Sequence, residues 1–356
     1  MRFLSLLLTA AFALLPTQIL AEPPAGKEGE VVLEDFAFAS GERMAALKIH
    51  YTTLGKPHSG TDGAIDNAVM ILHGTGGSGR NFFAPQFADE LYGPGQPLDL
   101  AKYYVILPDG IGHGGSSKPS DGLKMAFPKY DYADMVEAQR RMLTEGLGVK
   151  RLELILGTSM GCMHAFVWGE AHPGFAKRLA PFACQPIPIA GINRSWRKLA
   201  IDAIMADPAW NQGNYTAEPA QGLRTAMSLM VIAGANPLAV QAQFPTREGA
   251  EAYVADAFAK TGAGRDANDL IYQLDASRTY DPSATLEKIT VPVLWINSAD
   301  DFINPPGYGV TGPAARRMPR ARFLLIPAST DTHGHGTHTW AKFWKDDLAE
   351  LMAEMP

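Results

Sequence analysis

Runs of apolar residues alternate with amphipathic stretches along most of the chain. At 68–72, 103–107, 152–156, 179–183, 291–296 and 321–326 nearly every position is apolar. Continuous runs of that length mark strands covered on both faces, as in a parallel sheet. Two runs at 31–33 and 45–51 come earlier and read as an opening antiparallel pair. Helical patterns lie between the strands, at 132–147, 162–168, 173–177 and 339–352. The alternation predicts an α/β protein: a mostly parallel, eight-stranded sheet with helices on both faces.

One stretch breaks the rhythm. Residues 185–288 hold no clear buried strand, but helical patterns recur at 196–205, 222–233, 247–260 and 268–278. A helical block between two core strands reads as a lid inserted over the sheet. The core is then built from 22–184 and 289–356. Residues 1–21 stand apart: Arg2 supplies a positive start, 3–15 is almost wholly apolar, and Ala21 closes a more polar end. This is the pattern of a secretory signal, with an uncleaved anchor as the alternative. It predicts a periplasmic or secreted protein that leaves the membrane once the signal is cut.

Composition narrows the classes. Of the 356 residues, 46% are hydrophobic and 19% charged, as in a globular protein with a large core. The formal charge of −6 and the lack of a long basic run argue against a nucleic-acid surface. Two cysteines, Cys162 and Cys184, make no disulfide framework and fit no zinc spacing. They read as two small buried residues, or as one bond if the chain reaches an oxidising compartment.

The run at 152–156 leads into Gly157-Thr158-Ser159-Met160-Gly161 and then into a helical pattern. Gly-x-Ser-x-Gly between a strand and a helix is the nucleophile elbow, a turn so tight that side chains are excluded on both sides of the serine. The alternative is a strand–helix turn without chemistry. A serine needs an oriented base, and the chain order for this elbow is serine, acid, histidine. Asp301, after the run at 291–296 and followed by Phe302-Ile303-Asn304-Pro305, is the expected acid; Asp300 is the alternative. His335, in Gly334-His335-Gly336, is the expected base, with His338 as runner-up. His333, His335 and His338 could instead bind a metal, but their spacing is not a standard one and no upstream carboxylate motif completes it. The oxyanion would be met by the Met160 amide and by an amide of the loop His73-Gly74-Thr75-Gly76-Gly77. No Gly-Lys-Ser/Thr follows that loop, so a nucleotide cofactor is not expected.

With these residues in place, the chain resembles the homoserine O-acetyltransferase family of α/β-hydrolases. The likeness rests on Gly93-Pro94-Gly95-Gln96-Pro97-Leu98-Asp99, on Asp134-Met135-Val136-Glu137-Ala138-Gln139, and on Ser159-Met160-Gly161. It also rests on Asp207-Pro208-Ala209-Trp210 with Gly213 and Tyr215, and on Arg265-Asp266-Ala267-Asn268. The resemblance implies the α/β-hydrolase fold, Ser159 as nucleophile, Asp301 as acid, His335 as base, and Thr75 as the second oxyanion donor. It implies a small acyl substrate, and a homodimer paired through lids. Some positions depart from the family pattern. Thr158 and Cys162 replace glycines beside the elbow. Met227 stands where the family carries an arginine that helps hold homoserine, and Gly336 where it carries an aspartate suited to an amino group. An amino acid's charged groups would need such partners in a closed site. The expected activity is therefore ester hydrolysis through an acyl-enzyme, with acyl-CoA-dependent O-acyl transfer as the alternative.

Overall fold

The structure, a computed structural model, describes residues 25–261 and 264–355. The expected signal at 1–21 lies outside the described residues. Eight strands form one sheet: β1 (Lys27–Ala37), β2 (Arg43–Leu54), β3 (Ala68–Leu72), β4 (Tyr104–Pro108), β5 (Leu154–Thr158), β6 (Leu179–Phe182), β7 (Val293–Ser298) and β8 (Ala321–Ile326). Their order across the sheet is β1-β2-β4-β3-β5-β6-β7-β8. The first two pairings are antiparallel and the rest parallel. Each strand expected from the sequence is present, shifted by a few residues at its ends.

Alternation along the central strands explains why their runs are continuously apolar. Met70 and Leu72 of β3 and Ile155 of β5 bury on one face; Val69, Ile71, Leu154 and Leu156 bury on the other. The first face is covered by α2 (Tyr132–Arg141, reached after α1, Pro85–Leu91) and α3 (Met160–Ala171). The second is covered by α1 and by the C-terminal helix. Each fully buried aliphatic side chain contributes roughly 1.5–3 kcal/mol, so both layers lock the strand ends that carry the loops above.

Between β6 and β7 the chain leaves the sheet, and its described residues form five α-helices: α4 (Gly191–Ala206), α5 (Ala220–Gly234), α6 (Pro237–Gln243), α7 (Arg247–Thr261) and α8 (Ala267–Asp275). Helices α4, α5 and α8 share a separate apolar cluster that includes Trp196, Ile204, Met227 and Leu270, joined by Trp210 from the turn after α4. After β7 come α9 (Thr311–Arg317) and, at the C-terminus, α10 (Lys345–Ala353). Among the described residues no single helix is long and apolar enough to cross a membrane.

Two helical expectations fail. Residues 173–177 form turns, because Gly174 takes φ +78°, a left-handed conformation that ends a helix. Residues 339–352 are not one helix. Two short 3-10 turns, Gly334–Thr339 and Ala341–Phe343, precede α10. The polar ladder of Thr337 and Thr339 onto the carbonyls of Gly334 and Gly336 favours those tighter turns.

Candidate active site

Ser159 sits between β5 and α3 at φ 55°, ψ −109°. A non-glycine residue there costs of order 1–3 kcal/mol, and the surroundings must hold it. They do so through the backbone: Ser159 N–H donates to Phe182 O at 2.8 Å, and Gly161 N–H donates to His73 O at 3.0 Å. Both flanking glycines are required. A Cβ on Gly157 would meet Gly161 O at 1.9 Å, and one on Gly161 would meet Leu72 O at 2.1 Å. Where the family pattern has glycines, Thr158 donates its hydroxyl to Leu72 O, and Cys162 forms a disulfide with Cys184. The bond ties the first turn of α3 to the segment after β6; the reading of two separate buried thiols is corrected.

The structure brings Ser159, His335 and Asp301 together, although 176 and 34 residues separate the partners along the chain. Ser159 Oγ lies 2.8 Å from His335 Nε2, and His335 Nδ1 lies 2.9 Å from Asp301 Oδ2. The other carboxylate oxygen accepts from the Ile303 and Asn304 amides, both at 2.9 Å. Asp301 is thus fully hydrogen-bonded, and its side chain is sealed from solvent. The histidine tautomer that satisfies this chain has the proton on Nδ1 and a free acceptor at Nε2, facing the serine.

Asp300 does something else. Its Oδ2 accepts from the Thr332 hydroxyl at 2.8 Å and from Gly334 N–H at 3.2 Å, so it holds the loop that carries His335. His338 places Nδ1 against His335 O. Burial, and then the nearby His335, push its pKa down to about 3. His333 stacks on Trp340 with ring centroids 3.8 Å apart. Among the described residues no three metal-ligating side chains converge.

Thr75 and Ser159 line one cavity of about 320 Å³, with His335, Trp196, Arg197 and Arg265. Met160 is the first residue of α3, directly after the serine. The loop bearing Thr75 runs against the serine: a Cβ on Gly74 would meet Ser159 Cβ at 3.2 Å. Gly74, Gly76 and Gly79 also have the spacing of a dinucleotide fingerprint, which needs its last glycine at a helix start. Gly79 opens only a short 3-10 turn, packed on Leu107.

Three supporting residues were not singled out by sequence reasoning. His73 donates from Nδ1 to Gly74 O at 2.8 Å and accepts at Nε2 from Gly110 N–H at 3.0 Å, which fixes the Thr75 loop. Burial lowers its pKa, so it serves as a neutral strut. Asn304 donates to Ala183 O at 2.8 Å and holds the turn that presents Asp301. Asn236, between α5 and α6, donates to Ser329 O at 2.8 Å and so ties the lid to the His335 loop. His73 and Asn304 carry a local signal, since each lies inside a quoted motif. Asn236 carries none.

Comparison with known proteins places the fold and the family. Residues 67–331 match the family described as alpha/beta hydrolase fold. A probable acyltransferase of Methanothermobacter thermautotrophicus is 31% identical over 300 residues, covering 83% of this chain and 88% of that protein. The homoserine O-acetyltransferase of Moorella thermoacetica is 32% identical over 309 residues, covering 75% of this chain and 80% of that one. Among solved structures, an acetylester hydrolase from Corynebacterium glutamicum superposes with a TM-score of 0.81 at 22% identity, covering 92% of this chain and 96% of that chain; it shares the fold. The chain belongs to the alpha/beta hydrolase fold family, in the branch that holds the homoserine O-acetyltransferases.

Proposed function

We propose that the chain is an exported serine hydrolase that cleaves a small carboxylic ester through an acyl-enzyme on Ser159. The observation that carries this reading is the unbroken line from Ser159 Oγ to His335 to Asp301 at the wall of a cavity. In the proposed cycle, His335 Nε2 takes the serine proton as Oγ attacks the acyl carbon. The amides of Met160 and Thr75 meet the oxyanion; donors of this kind are worth roughly 3 kcal/mol each. His335 then gives the proton to the leaving alcohol. A water, deprotonated by the same nitrogen, releases the acid and restores the serine. Asp301 stabilises the imidazolium and keeps the ring in place without taking the proton.

Export rests on the pattern of residues 1–21 and is supported by the disulfide, since such bonds persist mainly in oxidising compartments. N-terminal sequencing of protein recovered outside the cytoplasm checks it: a first residue near position 22 is expected, and an intact Met1 overturns it.

The second reading, acyl transfer from acyl-CoA to an alcohol, is favoured by the names of the relatives. Against homoserine as the acceptor stands Met227, buried in the lid cluster where the resemblance places an arginine. One assay separates the readings. Purified protein should turn over 4-nitrophenyl acetate, and Ser159→Ala should abolish this. Acetyl-CoA consumption that rises on adding homoserine would reverse the assignment.

A further inference from the structure

Resting on the ester-cleavage reading, we propose that Arg197 forms a carboxylate-binding subsite in the cavity, and that the substrate is a small ester bearing a carboxylate and no amino group.

Arg197 lies on α4 and is 1% exposed, yet it lines the same cavity as Ser159. Its Nε donates to Asn193 Oδ1 at 2.8 Å, its Nη1 reaches Leu274 O at a long 3.5 Å, and the Tyr132 hydroxyl lies nearby. Among the described residues no carboxylate pairs with it. The charges and dipoles it feels are those of Tyr132 and Arg194, not of an acid. The guanidinium also lies 4.8 Å from the Trp196 ring, which also lines the cavity. A buried cation without a counter-charge is costly. Elsewhere in this chain such costs are met: Arg178 is nearly as buried and pairs with Glu153. At Arg197 the protein leaves the counter-charge to something else.

The surroundings make the same demand. Tyr132 lies close enough to Arg197 and Thr75 to interact with both. Even so, neither the Tyr132 hydroxyl nor the Thr75 hydroxyl, both buried, completes a well-formed hydrogen bond. A second guanidinium, Arg265, lines the cavity and donates to Gly76 O. None of the described lining residues is Asp or Glu. In a chain of net charge −6, a cavity with two arginines and no acid is a deliberate inversion of sign. The planar fork of a guanidinium matches a carboxylate. An ammonium group would meet only like charge, because Asp301 and Asp300 are committed to His335 and its loop. This sets the site apart from one that holds an amino acid. The volume, about 320 Å³, lies near the lower end of ligand pockets and fits a small molecule. Hydrolysis adds one water across the acyl–oxygen bond and needs no further reactant.

The test compares matched esters. Mono-4-nitrophenyl glutarate carries its carboxylate on the acyl side, and 4-acetoxybutanoate on the alcohol side; each is measured against its own methyl ester. In the wild-type protein one of the two arms should show kcat/KM at least about tenfold above its methyl ester, mainly through KM. Which arm responds assigns the side. Arg197→Met should remove that preference, and Arg197→Lys should restore it in part, as a point charge without the fork. The ratio is taken within one preparation, so it does not depend on the variant's overall activity. Equal or better use of the methyl esters in both arms, or a preference that survives Arg197→Met, overturns the proposal. Competitive inhibition of the wild type by glutarate needs no variant; no inhibition also counts against it. Calorimetric binding of the glutarate ester to Ser159→Ala separates the two readings. Binding without hydrolysis by the wild type would sink ester cleavage alone. Hydrolysis of 4-nitrophenyl acetate without binding would sink the anion site alone.

Discussion

The two sides of the cavity are built to opposite standards. On the sheet side every polar group of the reacting line has a partner within the protein. Asp301 accepts three hydrogen bonds, and both ring nitrogens of His335 are engaged. On the side around Arg197 of α4, the guanidinium lacks a carboxylate, and the hydroxyls of Thr75 and Tyr132, from the core beneath it, lack full partners. The first side is complete before any substrate arrives, as catalytic preorganisation requires. The second is incomplete, as a recognition site is before its ligand binds. Chemistry and selectivity should therefore respond to different substitutions.

The largest effects belong to the completed side. Ser159→Ala should lower kcat on 4-nitrophenyl acetate by about 10⁵-fold or more, to the background of the remaining donors. Asp301→Asn should cost about 10⁴-fold, because the amide favours the wrong tautomer of His335. Asp300→Asn should cost about tenfold at most, since it disturbs the anchoring of Gly334, Thr332 and Ser298 and not the line from Ser159 to Asp301. Steady-state kinetics of the three variants decide. Equal losses at 300 and 301 would erase the distinction between the acid and its neighbour.

That same contrast marks what the chain reveals before folding. The sheet and the elbow are legible because local signals carry them: apolar runs for two-faced burial, and two glycines where no Cβ fits. The choice of Asp301 over Asp300 rested on the residues that follow, and here Asn304 accounts for it by clamping the turn. Arg197 was not legible. It stands in a helix with polar neighbours, and only the packing of α4 against α8 buries it over the serine. The helix expected at 339–352 failed for a related reason. Its amphipathic pattern is real, but hydroxyls of Thr337 and Thr339 compete for the local carbonyls. Cys162 and Cys184, 22 residues apart, could not be paired from spacing alone.

The disulfide sharpens the comparison at the next scale down. It closes a loop of 22 residues that begins directly after the elbow, on the completed side. Replacing both cysteines by alanine should lower the unfolding free energy by about 3 kcal/mol through the entropy of the unfolded chain. Urea unfolding measures it, and reduction of the wild-type protein should give the same loss. If the bond also holds Ser159 in its strained geometry, labelling by a fluorophosphonate should slow in the variant while substrate selectivity stays unchanged. A change in selectivity instead would mean that the two sides are mechanically joined.

The smallest effect comes from beneath the elbow. His164 on α3 is fully buried, accepts at Nδ1 from Gln139 at 3.2 Å, and has no partner at Nε2. Burial first, and then the nearby His73, lower its pKa to about 3. In the unfolded chain the same ring titrates near 6.5. Between these values the unfolded state binds a proton that the folded state refuses. The stability that His164 protects is therefore complete above about pH 6.5 and is lost as pH falls toward 3, by at most about 1.4 kcal/mol per pH unit. His73 and His113, also buried and lowered, act in the same direction. His164→Gln should remove one such increment from the slope of unfolding free energy between pH 6 and 4, and leave the profile above pH 7 parallel to that of the wild type. Urea midpoints with unchanged m-values at three pH values suffice to see it. A slope that does not change would mean that water reaches the ring, and that this side is less tightly completed than its hydrogen bonds make it.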